Sequence, residues 1–537
     1  MSMGVEQLKR FLHARLEQPE GASYRSVEEP YEEFLKAMAP SEAELTAQRE
    51  HPPLSLPRFS LLLAGDWDGA AKERTLASVA AQTYSRFEIA LDPKHIEGDY
   101  VLYLWPGDVL SPEALYHYAR AAGGGADLIY ADEDLAPSGQ DGARREPFLK
   151  SAPSRLTQMS YDMLSCGVAA QLGLFRKVGG MAGDTPEDRY AYNLRCLCAC
   201  RRAVHIPRPL YTLSADRRPG PQGIRAVKAC LGRGETVSEG QWPGSFRVER
   251  LEKKKPAAAL IIPNLNGAPA LRRLLESVEA QTLYPYSRIL IADLGSHDDQ
   301  TLRYYSLLEK NKAAQVVYGE GARLSKILNR AAQDSNAEAL VFLGRDVEIV
   351  SPGWLDSLLS QLYRPGVGAA GGKLVDARGR VIFSGGVAGI GGWTGSFYTG
   401  AQDGLESLRQ NRFVNSIRSV SILSLWCMAL RSPVFWNAGG FDESFERDGL
   451  DMELCLRLGR RGHACVYTPY ALLRCHAALP SLANASEQDQ IRCYDALRDT
   501  LLWGDPHCSP NYDFQQTAPL VASAPRPAIE HNGRYCN

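Results

Sequence analysis

Three short loops in the second half of the chain carry side chains suited to a phosphorylated ligand. They follow the apolar runs ALII, ILIA and LVFL, and span residues 263–267, 293–298 and 344–346. Each run reads as a buried strand, and each loop as the segment beyond its carboxyl end, where an open parallel sheet binds ligands. Aspartates beyond two of these strands, Asp293 and Asp346, converge on one cleft. One carboxylate there can bond base or ribose groups. The other can hold Mg2+ or Mn2+, which prefers carboxylate oxygen and bridges diphosphate oxygens. A single Asp at a strand end is more often a turn or helix-cap residue; it is the ordering of the loops that favours a ligand site.

The elements that must position these loops occur twice. Residues 59–91 read FSLLLAGDWDGAAKERTLASVAAQTYSRFEIAL, and residues 259–294 read ALIIPNLNGAPALRRLLESVEAQTLYPYSRILIADL. Both are an apolar run, a Gly/Asn/Asp-rich turn, a helix ending in S-V-x-A-Q-T, and a second apolar run, the pattern of a β-loop-α-β unit. Three further blocks match in the same order: VLYLWPGDVLSPEAL with LVFLGRDVEIVSPGWL, LGLFRKVGGM with RSPVFWNAGGF, and HIPRPLYTL with VYTPYALLRCH. The expected fold is therefore α/β, with two tandem Rossmann-like domains and mainly parallel sheets. The boundaries read as a helical N-terminal segment at 1–55, a first domain at 56–215, a helical linker at 216–255, a second domain at 256–482, and a C-terminal helix and tail at 483–537.

Composition narrows the function classes. The 537 residues exceed one ordinary core, and 45% hydrophobic with 23% charged residues is ordinary globular usage. With 60 basic and 62 acidic residues the formal charge is −2, which gives no reason to expect a nucleic-acid partner. No run of about 18 apolar residues occurs, and the first 19 residues lack a continuous apolar core. The expected location is cytoplasmic, with a peripheral place in a membrane assembly complex at the inner face of the cell membrane left open. The 12 cysteines do not fall into paired zinc-knuckle spacing and read as reduced, mostly buried thiols.

The second copy resembles the family-2 glycosyltransferases of the GT-A fold, in particular the bacterial O-antigen and rhamnan type. The resemblance rests on IIPNLN, IADLGSHDDQT, ARLSKILNRAA, LVFLGRDVEIVSPGWL and VGAAGGKLVDARGRVI, and above all on GGFDESFERDGLDMELCLRL with VYTPYALLRCH. The first copy resembles the family in ADLIYADEDLAPSG and HIPRPLYTL. The resemblance implies inverting transfer of a sugar from a nucleoside-diphosphate sugar to a saccharide, lipid-linked glycan or protein acceptor in bacterial surface-glycan synthesis. It places Asn264 and Asp293 at base and ribose, Asn329 beside the nucleotide, Asp346 at the end of a metal motif for Mn2+ or Mg2+, and His476 near the diphosphate or metal. Asp451 falls on the general base.

The chain departs from that pattern at named positions. The metal motif reads Gly344-Arg345-Asp346, so one oxygen ligand is missing and a permanent cation stands beside the remaining one. Arg345 can clamp a diphosphate in place of an ion, or the loop has stopped binding nucleotide. Small residues are expected where Leu425 and Trp426 stand; Trp426 reads equally as an acceptor-sugar platform and as a core residue. In the first copy the nucleotide loops read LAGDWDG and LDPKHIEGDY, without the Asp-x-x-Ser region, and the metal position reads Trp105-Pro106-Gly107-Asp108. Its Asp132-Glu133-Asp134 run reads as a solvated turn. Three functions stay open: an active transferase working from the second domain; an inactive, glycosyltransferase-like binding or scaffold protein; and, least favoured because IIPNLNG is poor in the Gly-rich loop with Lys or Arg it needs, a sugar-phosphate enzyme such as a nucleotidyltransferase.

Overall fold

A computed structural model of the chain describes residues 28–53, 57–67, 69–137, 143–405 and 407–522. Of the expected helical N-terminal segment, residues 1–27 and 54–55 lie outside the described residues, as do residues 523–537 of the expected tail. The described part of that N-terminal segment holds the helices Glu28–Met38 and Glu42–Glu50, the second opened by a capping box between Ser41 and Glu44.

The first domain contains β1 (Phe59–Leu63), β2 (Phe87–Ala90), β3 (Tyr100–Leu104), β4 (Val109–Leu110), β5 (Leu128–Leu135), β6 (Arg145–Phe148), β7 (Val168–Gln171) and β8 (Ala203–Leu213). Their order across the sheet is β2-β1-β3-β7-β5-β8-β4, with β6 on the side of β5. The linker holds β9 (Glu235–Glu239) and β10 (Phe246–Arg250). The second domain contains β11 (Ala258–Asn264), β12 (Arg288–Asp293), β13 (Gln315–Tyr318), β14 (Ala339–Leu343), β15 (Val347–Ile349), β16 (Val367–Val375), β17 (Val381–Phe383), β18 (Val387–Ala388), β19 (Thr394–Gly395), β20 (Arg418–Val420), β21 (Cys427–Arg431) and β22 (Ala464–Cys475). Its main sheet runs β13-β12-β11-β14-β21-β16-β22-β15.

With β13 set aside, the two orders are the same, and so are the directions. The parallel pairs β1/β2, β1/β3 and β5/β8 match β11/β12, β11/β14 and β16/β22. Strand β7 runs against both neighbours, as β21 does, and the edge strands β4 and β15 run against β8 and β22, so each sheet is mixed, with a reversed strand between two parallel groups and another at one edge. The helix after each reversed strand ends alike: Gly179 and Gly439 are left-handed at φ 85° and 100°, and Gly180 and Gly440 follow at 69° and 68°. A residue with a Cβ is strained there, which accounts for the repeated Gly-Gly.

The copies differ most between their second and third parallel strands. In the second domain the chain passes from β12 through the helix Asp299–Lys310, β13 and the helix Leu324–Ser335 before reaching β14. In the first, residues 91–99 cross from β2 to β3 with no helix or strand.

Two expectations are corrected by the structure. The linker is not mainly helical: it has a short helix, Ile224–Ala229, and an antiparallel hairpin in which Val237 faces Val248. The alternation in FRVER buries Phe246 and Val248, a period-2 pattern that suits a strand. The Asp132-Glu133-Asp134 run is no solvated turn. It lies inside β5, at 0%, 4% and 1% exposure, because β6 and β8 flank that part of the strand on its two edges. Each carboxylate has its own partner: Asp132 with His205 Nε2 at 2.7 Å, Glu133 with Lys150 Nζ at 3.1 Å, and Asp134 with Arg144 Nε at 2.6 Å and the Tyr31 hydroxyl.

The domains are bonded to each other through Ser154 Oγ and Ser419 Oγ at 2.8 Å, and the linker is bonded to the second domain through Trp242 Nε1 to Ser416 Oγ at 3.0 Å. The C-terminal helix Glu487–Trp503 packs on the helix Leu450–Arg460 of the second domain.

Candidate active site

The cleft is built where β11, β12 and β14 end side by side. The first loop is tied to the second by Asn266, left-handed at φ 47°, whose Oδ1 accepts from the backbone N–H of His297 at 2.8 Å and of Asp298 at 3.1 Å. Asp298 in turn caps the helix Asp299–Lys310 through the N–H of Thr301 at 2.9 Å. That helix presents Tyr305 to the cleft floor, a residue for which the sequence carries only the signal of an amphipathic helix face.

The Tyr305 hydroxyl joins two of the expected nucleotide residues. Asn264 Nδ2 donates to it at 2.6 Å, and it donates to Asp293 Oδ1 at 2.8 Å. Asp293 also accepts from the N–H of Gly295 and Ser296. Burial, before the hydrogen bonds around it, pushes the Tyr305 hydroxyl well above its ordinary pKa, so it stays a donor at any working pH. Replacing Tyr305 by Phe leaves the buried Asn264 amide and Asp293 carboxylate each one partner short. The expected cost is about 1–3 kcal/mol, read as a lower unfolding temperature, together with weaker nucleotide binding by calorimetry.

Arg345 reaches from the third loop back to the first, bonding Asn264 Oδ1 at 3.2 Å and the Leu265 carbonyl. Gly267 makes room for it: a Cβ there would come within 2.5 Å of Arg345 Nη1. Asp346 lies beside the guanidinium, with Oδ2 3.4 Å from Arg345 Nε. Trp426 is half-buried and its indole sits on Gly344, where a Cβ would meet ring carbons at 2.7 Å and 2.8 Å. The next residue back, Leu425, donates its N–H to Asp451 Oδ2 at 2.9 Å.

Asp451 stands in the first turn of the helix Leu450–Arg460, and its other oxygen accepts from the Met452 N–H at 2.9 Å. Burial raises its pKa above the usual aspartate range. The N–H groups of Leu425 and Met452 oppose that rise, and the nearby Asp448 adds to it. The acidic loop before it is held by Asp489 from the C-terminal helix, which accepts from the N–H groups of Glu446, Arg447 and Asp448 at 2.9, 2.9 and 3.0 Å. Asp489 lies beyond every stretch of matched sequence and is visible only once the helix is docked.

Two further expected site residues have their side chains bonded within the protein. The Asn329 amide is bonded to the GGFDE loop: Oδ1 accepts from the Phe441 N–H at 2.9 Å, and Nδ2 donates to the Phe441 carbonyl at 2.9 Å and to Glu443 at 3.1 Å. His476 and Asp346 do not meet as metal ligands. The antiparallel register sets Val347 opposite Cys475, so the His476 N–H binds the Asp346 carbonyl at 2.9 Å, while its ring bonds Glu348 at 2.8 Å. Burial would raise Glu348, but the His476 and Arg474 contacts outweigh it and hold the carboxyl below its ordinary value. Among the described residues no three His, Cys, Asp or Glu side chains form a group that could hold a metal ion. Of the expected Mn2+ or Mg2+ motif one carboxylate remains, Asp346, and it is paired with Arg345, so the residues present do not supply the expected pair of oxygen ligands. In the first domain, Asp108 is likewise consumed, by Tyr211, Ser214 and Arg217.

Comparison with known proteins adds a family. The model of Glycosyl transferase family 2 matches residues 259–396. The O-antigen biosynthesis protein RfbC of Myxococcus xanthus is 32% identical over 441 residues, 78% of this chain and 34% of that protein. This chain thus spans about a third of that relative's length. N-acetylglucosaminyl-diphospho-decaprenol L-rhamnosyltransferase of Mycobacterium tuberculosis (strain CDC 1551 / Oshkosh) is 31% identical over 231 residues, 39% of this chain and 73% of that protein. Among solved structures, GalNAc-T7 with UDP, GalNAc and Mn2+ is similar with a TM-score of 0.36 and 14% identity, over 47% of this chain and 49% of that one.

Proposed function

Because the chain belongs to glycosyl transferase family 2, we propose that its second domain transfers a sugar, with inversion, from a nucleoside-diphosphate sugar to a glycan acceptor. One observation carries the reading. The contacts run without a break from Tyr305 through Asn264, Arg345 and Gly344 to Trp426, Leu425 and the half-buried Asp451, which supports reading the nucleotide floor and that carboxylate as one site. In the proposed reaction Asp451 takes the proton of an acceptor hydroxyl while that oxygen attacks the anomeric carbon. The bond to the nucleoside diphosphate breaks on the opposite face, and the new glycosidic bond has the inverted configuration. A positioned base of this kind contributes about 10²–10⁴-fold.

Asn264 and Asp293 bind base and ribose in this reading, Arg345 meets the diphosphate, and Trp426 offers its free face to the acceptor sugar. The first domain has no segment equivalent to the Tyr305 helix and acts as a structural or acceptor-holding partner. The relatives favour bacterial surface glycans, and the mycobacterial protein is named for an L-rhamnosyl group and a lipid-linked acceptor. A hexose or deoxyhexose donor and a lipid-linked, saccharide or glycoprotein acceptor are proposed here. No helix among the described residues is long and apolar enough to cross a membrane; work on a lipid-linked acceptor would place the chain at a membrane surface from the cytoplasmic side.

Titration calorimetry of the full chain with uridine, thymidine and guanosine diphosphates, in the presence of Mn2+ and again in EDTA, tests the donor side. One base is expected to bind and the others much less. Silence across the whole panel would favour an inactive scaffold and end the enzyme reading.

A further inference from the structure

We propose that Arg345 stands in for a divalent cation, so that this chain binds its nucleoside diphosphate without metal. The inference rests on the donor-cleft reading above and adds the means by which diphosphate charge is neutralised.

Three observations converge on it. Gly344 and Trp426 are mutually dependent, since the indole occupies the space into which any side chain at 344 would project, with ring carbons 2.7–2.8 Å from a Cβ. The position that would supply a first carboxylate ligand is thus filled by an apolar ring. Next, His476 is spent on Glu348 at 2.8 Å, and Glu348 also takes Arg474 at 3.2 Å, so neither group is directed at Asp346. Finally, the cation that is present is Arg345, with 32% of its side chain exposed, 3.4 Å from Asp346 and folded over Gly267 at the mouth of the cleft.

A diphosphate entering this cleft meets Asp293 and Asp346, and needs a positive charge between itself and Asp346. A guanidinium supplies that charge permanently and in a fork that matches two phosphate oxygens. Apart from the long 3.4 Å contact with Asp346, its present bonds, to Asn264 Oδ1 and the Leu265 carbonyl, are to neutral acceptors that a phosphate outcompetes.

The test is calorimetry with the diphosphate that binds best, in EDTA and in Mn2+, on the wild type, Arg345→Ala and Arg345→Lys. Affinity of the wild type is expected to agree within about threefold in the two buffers. Arg345→Ala should lose about tenfold or more in both, the equivalent of one charge-assisted bond, and Arg345→Lys should recover only part because it keeps the charge without the fork. Arg345 is partly exposed, so unchanged melting of the variants shows that folding is intact. Binding that appears only with Mn2+, or an Arg345→Ala protein that binds like the wild type, overturns the inference while leaving the donor cleft standing. No binding of any diphosphate by the wild type in either buffer removes the donor cleft and this inference together.

Discussion

Asp451→Asn is expected to lose about two to four orders of magnitude in turnover, measured as release of nucleoside diphosphate in the presence of acceptor, while melting close to the wild type. The side chain keeps its size, and its one amide oxygen can still accept from the Leu425 N–H, giving up only the bond from the adjacent Met452 N–H in the first helical turn. What disappears is the basic lone pair. The pH profile gives a second reading of the same residue. Burial lifts the Asp451 carboxyl above the ordinary range, and a general base must be ionised to work. The acidic limb of kcat/KM should therefore fall at a pH above the roughly 4 of an unperturbed aspartate. The stability effect has the opposite sense. A carboxyl whose pKa is raised by folding binds more protons in the native than in the unfolded chain between the two values, so stability declines as pH rises through that window. The wild type should gain stability relative to Asp451→Asn as pH is lowered through it. Near-normal turnover in the variant would show that another group takes the proton.

The parts of this architecture legible in the sequence are those set by local periodicity. The two S-V-x-A-Q-T strings mark helices whose buried positions, Val79 in one and Val278 in the other, face equivalent strands. The loops holding Asn264, Asp293 and Asp346 follow from those strands. Strand direction is another matter: MAL in β21 and VAA in β7 are apolar runs that read alike both ways, so their reversal is fixed only by the pairing of Phe342 with Met428 and of Leu102 with Ala169. Residues that act at long range are also hidden. Tyr305, Asn329 and Asp489 each sit on a helix with ordinary amphipathic spacing, and their hydrogen bonds go to segments 12, 112 and 43 residues away. The Gly344-Arg345-Asp346 departure is visible as three letters, but its cause is not, because the indole of Trp426 reaches Gly344 across the β14/β21 pair.

The acidic run of β5 yields the largest expected stability effect. Lys150 Nζ, fully buried, donates to Glu133 at 3.1 Å, to the Leu164 carbonyl at 2.7 Å and to the Cys166 carbonyl at 3.0 Å. Lys150→Met fills similar space but strands a carboxylate in the core and leaves two carbonyls short of a donor. Removing one member of a buried ion pair costs about 3–5 kcal/mol, a large part of the 5–15 kcal/mol or so that holds a typical domain together. For a domain of this size the melting temperature should drop by roughly 6–20 °C in differential scanning calorimetry. The double variant Lys150→Met with Glu133→Gln should regain part of that loss, because the stranded charge is gone while Glu133's acceptor role toward the Cys166 N–H, at 2.9 Å, survives in the amide oxygen. Adding Mn2+ should restore nothing if these carboxylates serve packing and not a metal. A Lys150→Met protein that melts with the wild type would mean that water reaches Glu133 and that the pair is a surface contact in all but position. Kinetic constants taken well below the melting point should be unchanged, since the chemistry is placed in the other domain; a fall in kcat there would instead tie the first copy to the reaction.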